Sequence, residues 1–168
     1  PIAQKFDIVY NDDKANIEVS IATTSKPYTD TFRGFRITED NKLEVYVDFW
    51  HFEDAYIAQY ASISGVSMPW EVLSAMDNLV FDQRSVAYSD TAAARFNLDP
   101  ISLVLDKFAR LVRNTLRTFD ETTTIPDSIF DIGHQSIVDD GEATARYRAA
   151  INWFAEKGHM VISNGPYL

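Results

Sequence analysis

Lys42-Leu43-Glu44-Val45-Tyr46-Val47-Asp48-Phe49-Trp50-His51-Phe52 is the stretch on which the fold turns. Leu43, Val45, Val47 and Phe49 alternate with Glu44, Tyr46, Asp48 and Trp50, the period-two pattern of a half-buried strand. Upstream, Phe35 and Ile37 lead into Glu39-Asp40-Asn41, whose short polar side chains suit a turn, so the segment predicts a hairpin. Strand parity sets Trp50 on the face opposite the apolar row. Towards the start, residues 6–10 and 17–21 read as two further strands. Ile17, Val19 and Ile21 alternate with Glu18 and Ser20, and Asn11-Asp12-Asp13 supplies the turn between them.

Beyond Trp50 the pattern becomes helical. Residues 52–62 carry Phe52, Ala55, Tyr56 and Tyr60 on one side, and Gly65 ends the segment. Pro69 suits the first position of a helix whose stripe is Val72, Leu73, Met76, Leu79 and Val80. A short helix is expected over residues 91–96. Asp99-Pro100 reads as a start signal for a long helix with Ile101, Val104, Leu105, Phe108, Leu111, Val112 and Leu116 on one face. Asp139 and Glu142 have capping-box spacing for a last helix with Ala143, Tyr147, Ala150, Ile151 and Phe154 as its stripe. Gly158 closes it, and residues 159–163 read as a strand. The expected class is α+β, with antiparallel hairpins packed against several helices.

Composition narrows the function. A chain of 168 residues with 46% apolar and 13% aromatic side chains has the material for a core, and its length fits one domain over 1–168. Fifteen basic against twenty-five acidic side chains give a net charge of −10. Such a surface repels phosphate backbones, so no nucleic-acid partner is expected. Cysteine is absent, which excludes disulfides and thiolate chemistry. The opening Pro1 and the closing Gly165-Pro166-Tyr167-Leu168 read as cut ends of a longer protein.

No catalytic pattern emerges. The histidines are His51, His134 and His159, and their spacing matches no zinc motif. His51 and Glu53 form a His-x-Glu pair suited to a metal, but a strand-to-helix corner with acidic residues in its first turn explains them equally. There is no nucleophile elbow and no phosphate-cradling glycine loop. The adjacent carboxylates Asp12/Asp13 and Asp139/Asp140 lie in turns, where glycosidase geometry is not supplied. Neither an enzyme nor a cofactor or metal site is expected.

Trp50, Trp70 and Trp153 all fall near the ends of elements, where an aromatic face can stack on a sugar ring or a peptide side chain. Core packing is the rival reading for each. Lys107, Arg110, Arg113 and Arg117 form a basic stripe on the long helix, read as a solvated face or as a contact for an acidic surface.

The 42–52 stretch, then Met68-Pro69-Trp70-Glu71-Val72-Leu73, resembles archaeal and thermophilic bacterial substrate-binding proteins of ABC importers, the group that includes the oligopeptide- and dipeptide-binding proteins. The closing residues 153–168, running from Trp153-Phe154 to Gly165-Pro166-Tyr167-Leu168, are similar to that group's helix, strand and Gly-Pro-aromatic turn. The resemblance implies one region of a two-lobed, periplasmic-binding-protein-like fold. It also implies an extracellular or periplasmic protein, free or tethered to the membrane, that hands peptides or oligosaccharides to an ABC permease. The ligand-side candidates, chosen by residue type and position, are Trp50, His51, Trp70, Asn164 and Tyr167. Two rival readings are a protein–protein interaction module without a small-molecule ligand and, behind it, a carbohydrate hydrolase.

Overall fold

The computed structural model describes residues 12–62, 68–126, 131–132, 135–136 and 138–162. The chain divides into two compact units, Pro1–Val66 and Ser67–Leu168. The class is α+β, with antiparallel hairpins and helices segregated along the chain.

In the first unit, helices α1 (Asp12–Ile17) and α2 (Val19–Thr31) precede strands β1 (Phe32–Ile37) and β2 (Leu43–Val47) and helix α3 (Asp54–Ala61). The expected strand at 6–10 lies outside the described residues. The expected strand at 17–21 is helical instead, and Asp12 and Asp13 belong to α1 rather than to a turn. Five residues of alternation fit either period, because Ile17 and Ile21 also share a helix face. Glu18 N–H donates to the Lys14 carbonyl and Ala22 N–H to the Glu18 carbonyl, both at 3.0 Å, which carries the helical path through this segment. The hydroxyls of Thr24 and Thr29 fold back onto carbonyls four residues earlier.

The β1/β2 hairpin forms where the alternation places it. Phe35 faces Val45 and Ile37 faces Leu43, while Arg36 faces Glu44 on the other side. The Arg36 guanidinium reaches Glu44 at 2.5 Å and, with the Tyr46 hydroxyl, holds that carboxyl below its ordinary range. At the turn, Asn41 takes a left-handed φ of 58°, which asparagine tolerates. Arg33 is the extra residue of a bulge between Phe32 and Gly34, and Gly34 carries the φ of 140° that results. The apolar face is not covered among the described residues: Ile37 is 69% exposed, and Phe35 and Leu43 are exposed as well. What holds the unit is an aromatic cluster. Tyr60 of α3 stacks on Phe49 and touches Tyr28, while its hydroxyl meets Thr31 and the Pro27 carbonyl.

The second unit holds α4 (Trp70–Asp77), a π-helical turn (Asn78–Asp82), α5 (Asp90–Phe96), α6 (Asp106–Thr122), the short strands β3 (Asp131–Ile132) and β4 (Gln135–Ser136), and α7 (Asp140–Lys157). Its core is built from the expected stripes. Val72, Leu79 and Val80 meet Val112 and Leu116 of α6 and Tyr147 of α7, all fully buried. Asp139 Oδ1 accepts the Glu142 N–H at 2.8 Å and Gly158 closes α7 with a φ of 75°, as their spacing implies.

Two expectations fail here. Helix α6 begins at Asp106, not after Asp99-Pro100. Residues 99–101 are held to Ala87 instead, whose N–H donates to the Asp99 carbonyl while the Ile101 N–H donates to the Ala87 carbonyl. Ser102 Oγ then accepts the N–H groups of Val104 and Leu105, leaving both side chains exposed. The expected closing strand is absent over 159–162, where Met160 N–H donates to the Leu103 carbonyl and its side chain fills the core.

Candidate ligand platform at the strand-to-helix corner

Where β2 gives way to α3, four aromatic side chains follow within seven residues, and three of them, His51, Phe52 and Tyr56, touch. Trp50 is 81% exposed, Phe52 75% and Tyr56 52%, with His51 half-buried between the last two. The His51 ring stacks on Phe52 with centroids 4.3 Å apart and lies 4.5 Å from Tyr56. Its Nδ1 accepts the Glu53 backbone N–H at 3.1 Å, which fixes the ring at the entrance to α3. The geometry follows from strand parity. Phe49 turns inward onto Tyr60, so its neighbour Trp50 must turn out.

An aromatic ring of this size carries roughly 150–250 Å² of surface. A ligand that covers about 100 Å² of the Trp50 and Phe52 faces gains about 2.5 kcal/mol at about 25 cal/mol per Å². The corner therefore offers stacking energy to a flat or apolar group. It has no nucleophile–base pair, and the His51 nitrogen nearest Glu53 is occupied by backbone. Among the described residues no three histidine, aspartate or glutamate side chains gather into a metal-binding group.

The remaining sequence candidates fall elsewhere. Trp70 opens α4 in the second unit and packs edge-on against Tyr147 at 5.7 Å, against the main core. Trp153 is half-buried against His159. Asn164 and Tyr167 lie outside the described residues. Of the five ligand-side candidates, Trp50 and His51 share one corner and Trp70 belongs to the other unit. Phe52 and Tyr56 complete the corner; the sequence places them on one side of a helix with Ala55 and Tyr60. Their i, i+4 spacing was legible, but not which side of α3 faces solvent.

Three of the four basic residues of the stripe already have partners within the second unit. Lys107 pairs with Asp99 at 2.5 Å and Arg110 with Asp106 at 2.6 Å. Arg113 lies 5.1 Å over the Phe154 ring, where partial burial and the nearby Arg117 and Arg110 lower its pKa.

Glu71 went unnoticed in the sequence. It is only 5% exposed, and its Oε2 has no hydrogen-bond partner. Ser74 Oγ, one turn along α4, is buried without a partner as well. Beside Glu71 stands Tyr147, whose hydroxyl donates to the Thr124 carbonyl. Burial, reinforced by the Glu71 carboxylate, pushes that phenol up to about 12. A surface depression of about 520 Å³ lies at the hairpin tip, lined by Arg36, Ile37, Thr38, Glu39 and Asp40, at the end of the hairpin away from Trp50.

Set against protein-family models the chain matches none, and no curated protein matches it. Among the described residues, no helix is long and apolar enough to cross a membrane.

Proposed function

We propose that this chain is the ligand-capturing part of an extracellular solute-binding protein that hands peptides or oligosaccharides to an ABC importer. The observation that carries the reading is a run of exposed aromatic rings at this corner: Trp50, 81% exposed, followed in the chain by Phe52 and Tyr56, which flank His51. A folded chain gains by covering such rings, and leaving them open suits a ligand platform. The resemblance over residues 42–52, 68–73 and 153–168 supports the same reading. On it, the fold is one region of a two-lobed binding protein that works outside the cell, free in a periplasm or tethered to the membrane. The chain then performs no catalysis and needs no cofactor. Trp50 and His51 serve the ligand, Trp70 serves the core, and Asn164 and Tyr167 are assigned by the resemblance alone.

The test is a thermal-shift screen against di- to penta-peptides and oligosaccharides, on this chain and on the longer protein to which the reading assigns it. A ligand specific for the folded state adds about 2.7 kcal/mol at a hundredfold excess over its Kd. A rise in Tm with one class identifies the cargo. A well-folded protein that responds to neither class overturns the receptor reading.

One observation favours a second reading, a protein–protein interaction module. Phe35, Ile37 and Leu43 leave one face of the hairpin open among the described residues. Binding to a protein partner, with no response to small ligands, is the outcome that selects it.

A further inference from the structure

We propose that the Trp50 corner captures a cationic peptide segment, one bearing an arginine or lysine side chain, rather than a neutral peptide or a sugar. The inference rests on the capture reading above and names its ligand chemistry. Three observations carry it. The surface consists of exposed aromatic faces, whose π-systems are negative at the centre and attract guanidinium and ammonium groups. Glu53 and Asp54 follow in the chain at the same corner, both exposed, and neither carboxylate has an ion-pair partner. Among the described residues of this unit the cations are committed elsewhere: Arg33 to Asp48, Arg36 to Glu44, Lys42 to Asp40 and Lys26 to Asp30, while Lys14 is engaged as well.

The acidic pair has an ordinary structural use, since carboxylates at a helix start offset the dipole. That dipole amounts to about half an elementary charge, against two carboxylates, so the corner keeps a net negative field. An eight-residue helix such as α3 gains little else from a second acid. The carboxylates accept hydrogen bonds and donate none. A sugar's hydroxyls also donate to carboxylates, but a neutral sugar gains nothing from the net negative field, whereas a guanidinium carries the opposite charge, donates only and presents a flat face for stacking.

The experiment titrates the chain with an arginine-containing tetrapeptide, with the same tetrapeptide carrying citrulline in place of arginine, and with maltotetraose. Binding is followed by tryptophan fluorescence and calorimetry at low and high salt. Trp50→Ala and Phe52→Ala serve as variants. Both side chains are mostly exposed, so the substitutions leave the fold intact, and circular dichroism verifies this. The expected result is binding of the arginine peptide, about tenfold weaker for citrulline. It should weaken with salt and be lost in both variants.

Equal binding of the citrulline peptide, or binding of maltotetraose with none of the arginine peptide, overturns the cationic inference and leaves the capture reading standing. Binding undiminished in Trp50→Ala overturns the location. No binding of any probe by the folded chain overturns the inference and the capture reading together.

Discussion

The ring of Tyr60 stacks on that of Phe49 with centroids 3.9 Å apart and planes 11° from parallel. This contact joins α3 to the end of β2 in a unit where no apolar side chain is fully buried among the described residues. Because a hairpin alone is marginal in water, the stack and the Tyr60 hydroxyl carry an unusual share of the unit's stability.

Tyr60→Ala should therefore destabilise the first unit by about 2–3 kcal/mol, below the cost of truncating a fully buried aromatic. Tyr60→Phe keeps the stack and loses the bonds to Thr31 and the Pro27 carbonyl, costing about 1 kcal/mol. Amide exchange of β1 and β2 reads both effects. If exchange of the hairpin is unchanged in Tyr60→Ala, the stack is not what holds it.

Glu71 predicts the opposite sign. A buried carboxylate oxygen without a partner costs stability, so Glu71→Gln or Glu71→Met should stabilise the second unit by about 1–3 kcal/mol. Urea unfolding at neutral pH measures it. Destabilisation by both variants would mean that the carboxylate has a partner it needs.

At the start of α7, Asp139 satisfies the Glu142 N–H. Asp139→Ala should cost about 1 kcal/mol, and Asp139→Asn or Asp139→Ser far less, because each retains a capping oxygen. Thermal unfolding of the three variants ranks them.

Tyr147 governs behaviour at alkaline pH. Its folded pKa of about 12 stands above the ordinary value near 10, so folding favours the protonated phenol. The stability this provides is whole below about pH 10 and is lost as pH rises towards about 12, at up to about 1.4 kcal/mol per pH unit. Tyr147→Phe should flatten that window and cost about 1 kcal/mol at neutral pH through the lost bond to Thr124. An unchanged alkaline transition in Tyr147→Phe would assign it to another group.

The parts of the fold legible in the sequence are those written over a few neighbouring residues. The hairpin turn around Asn41, the cap at Asp139, the glycine at 158, the 3.6-residue stripes of α4 and α7 and the Phe108–Leu116 part of the α6 stripe stand where their local patterns put them. Local signals also misled. Ile17, Val19 and Ile21 suited two periods at once, and Asp99-Pro100 carried a start signal that a backbone pairing with Ala87 overrode. At the corner, strand parity identified Trp50 as the outward tryptophan, but nothing local revealed that Phe52 and Tyr56 stay open on either side of His51.

The α+β class, the acidic charge, the absence of thiol chemistry and the two caps of α7 follow from the sequence by itself, because each depends on composition or on contacts a few residues apart. Only the tertiary structure decided which aromatic rings are free and which polar groups are trapped. Trp50 and Trp70 are the same residue type near the ends of elements, yet one faces solvent and the other meets Tyr147, which lies 77 positions further along the chain. Glu71 is an ordinary first-turn acid by sequence, and its burial with one oxygen, Oε2, left without a partner comes only from tertiary packing. Exposure is a property of what arrives from elsewhere in the chain, and no local pattern encodes it.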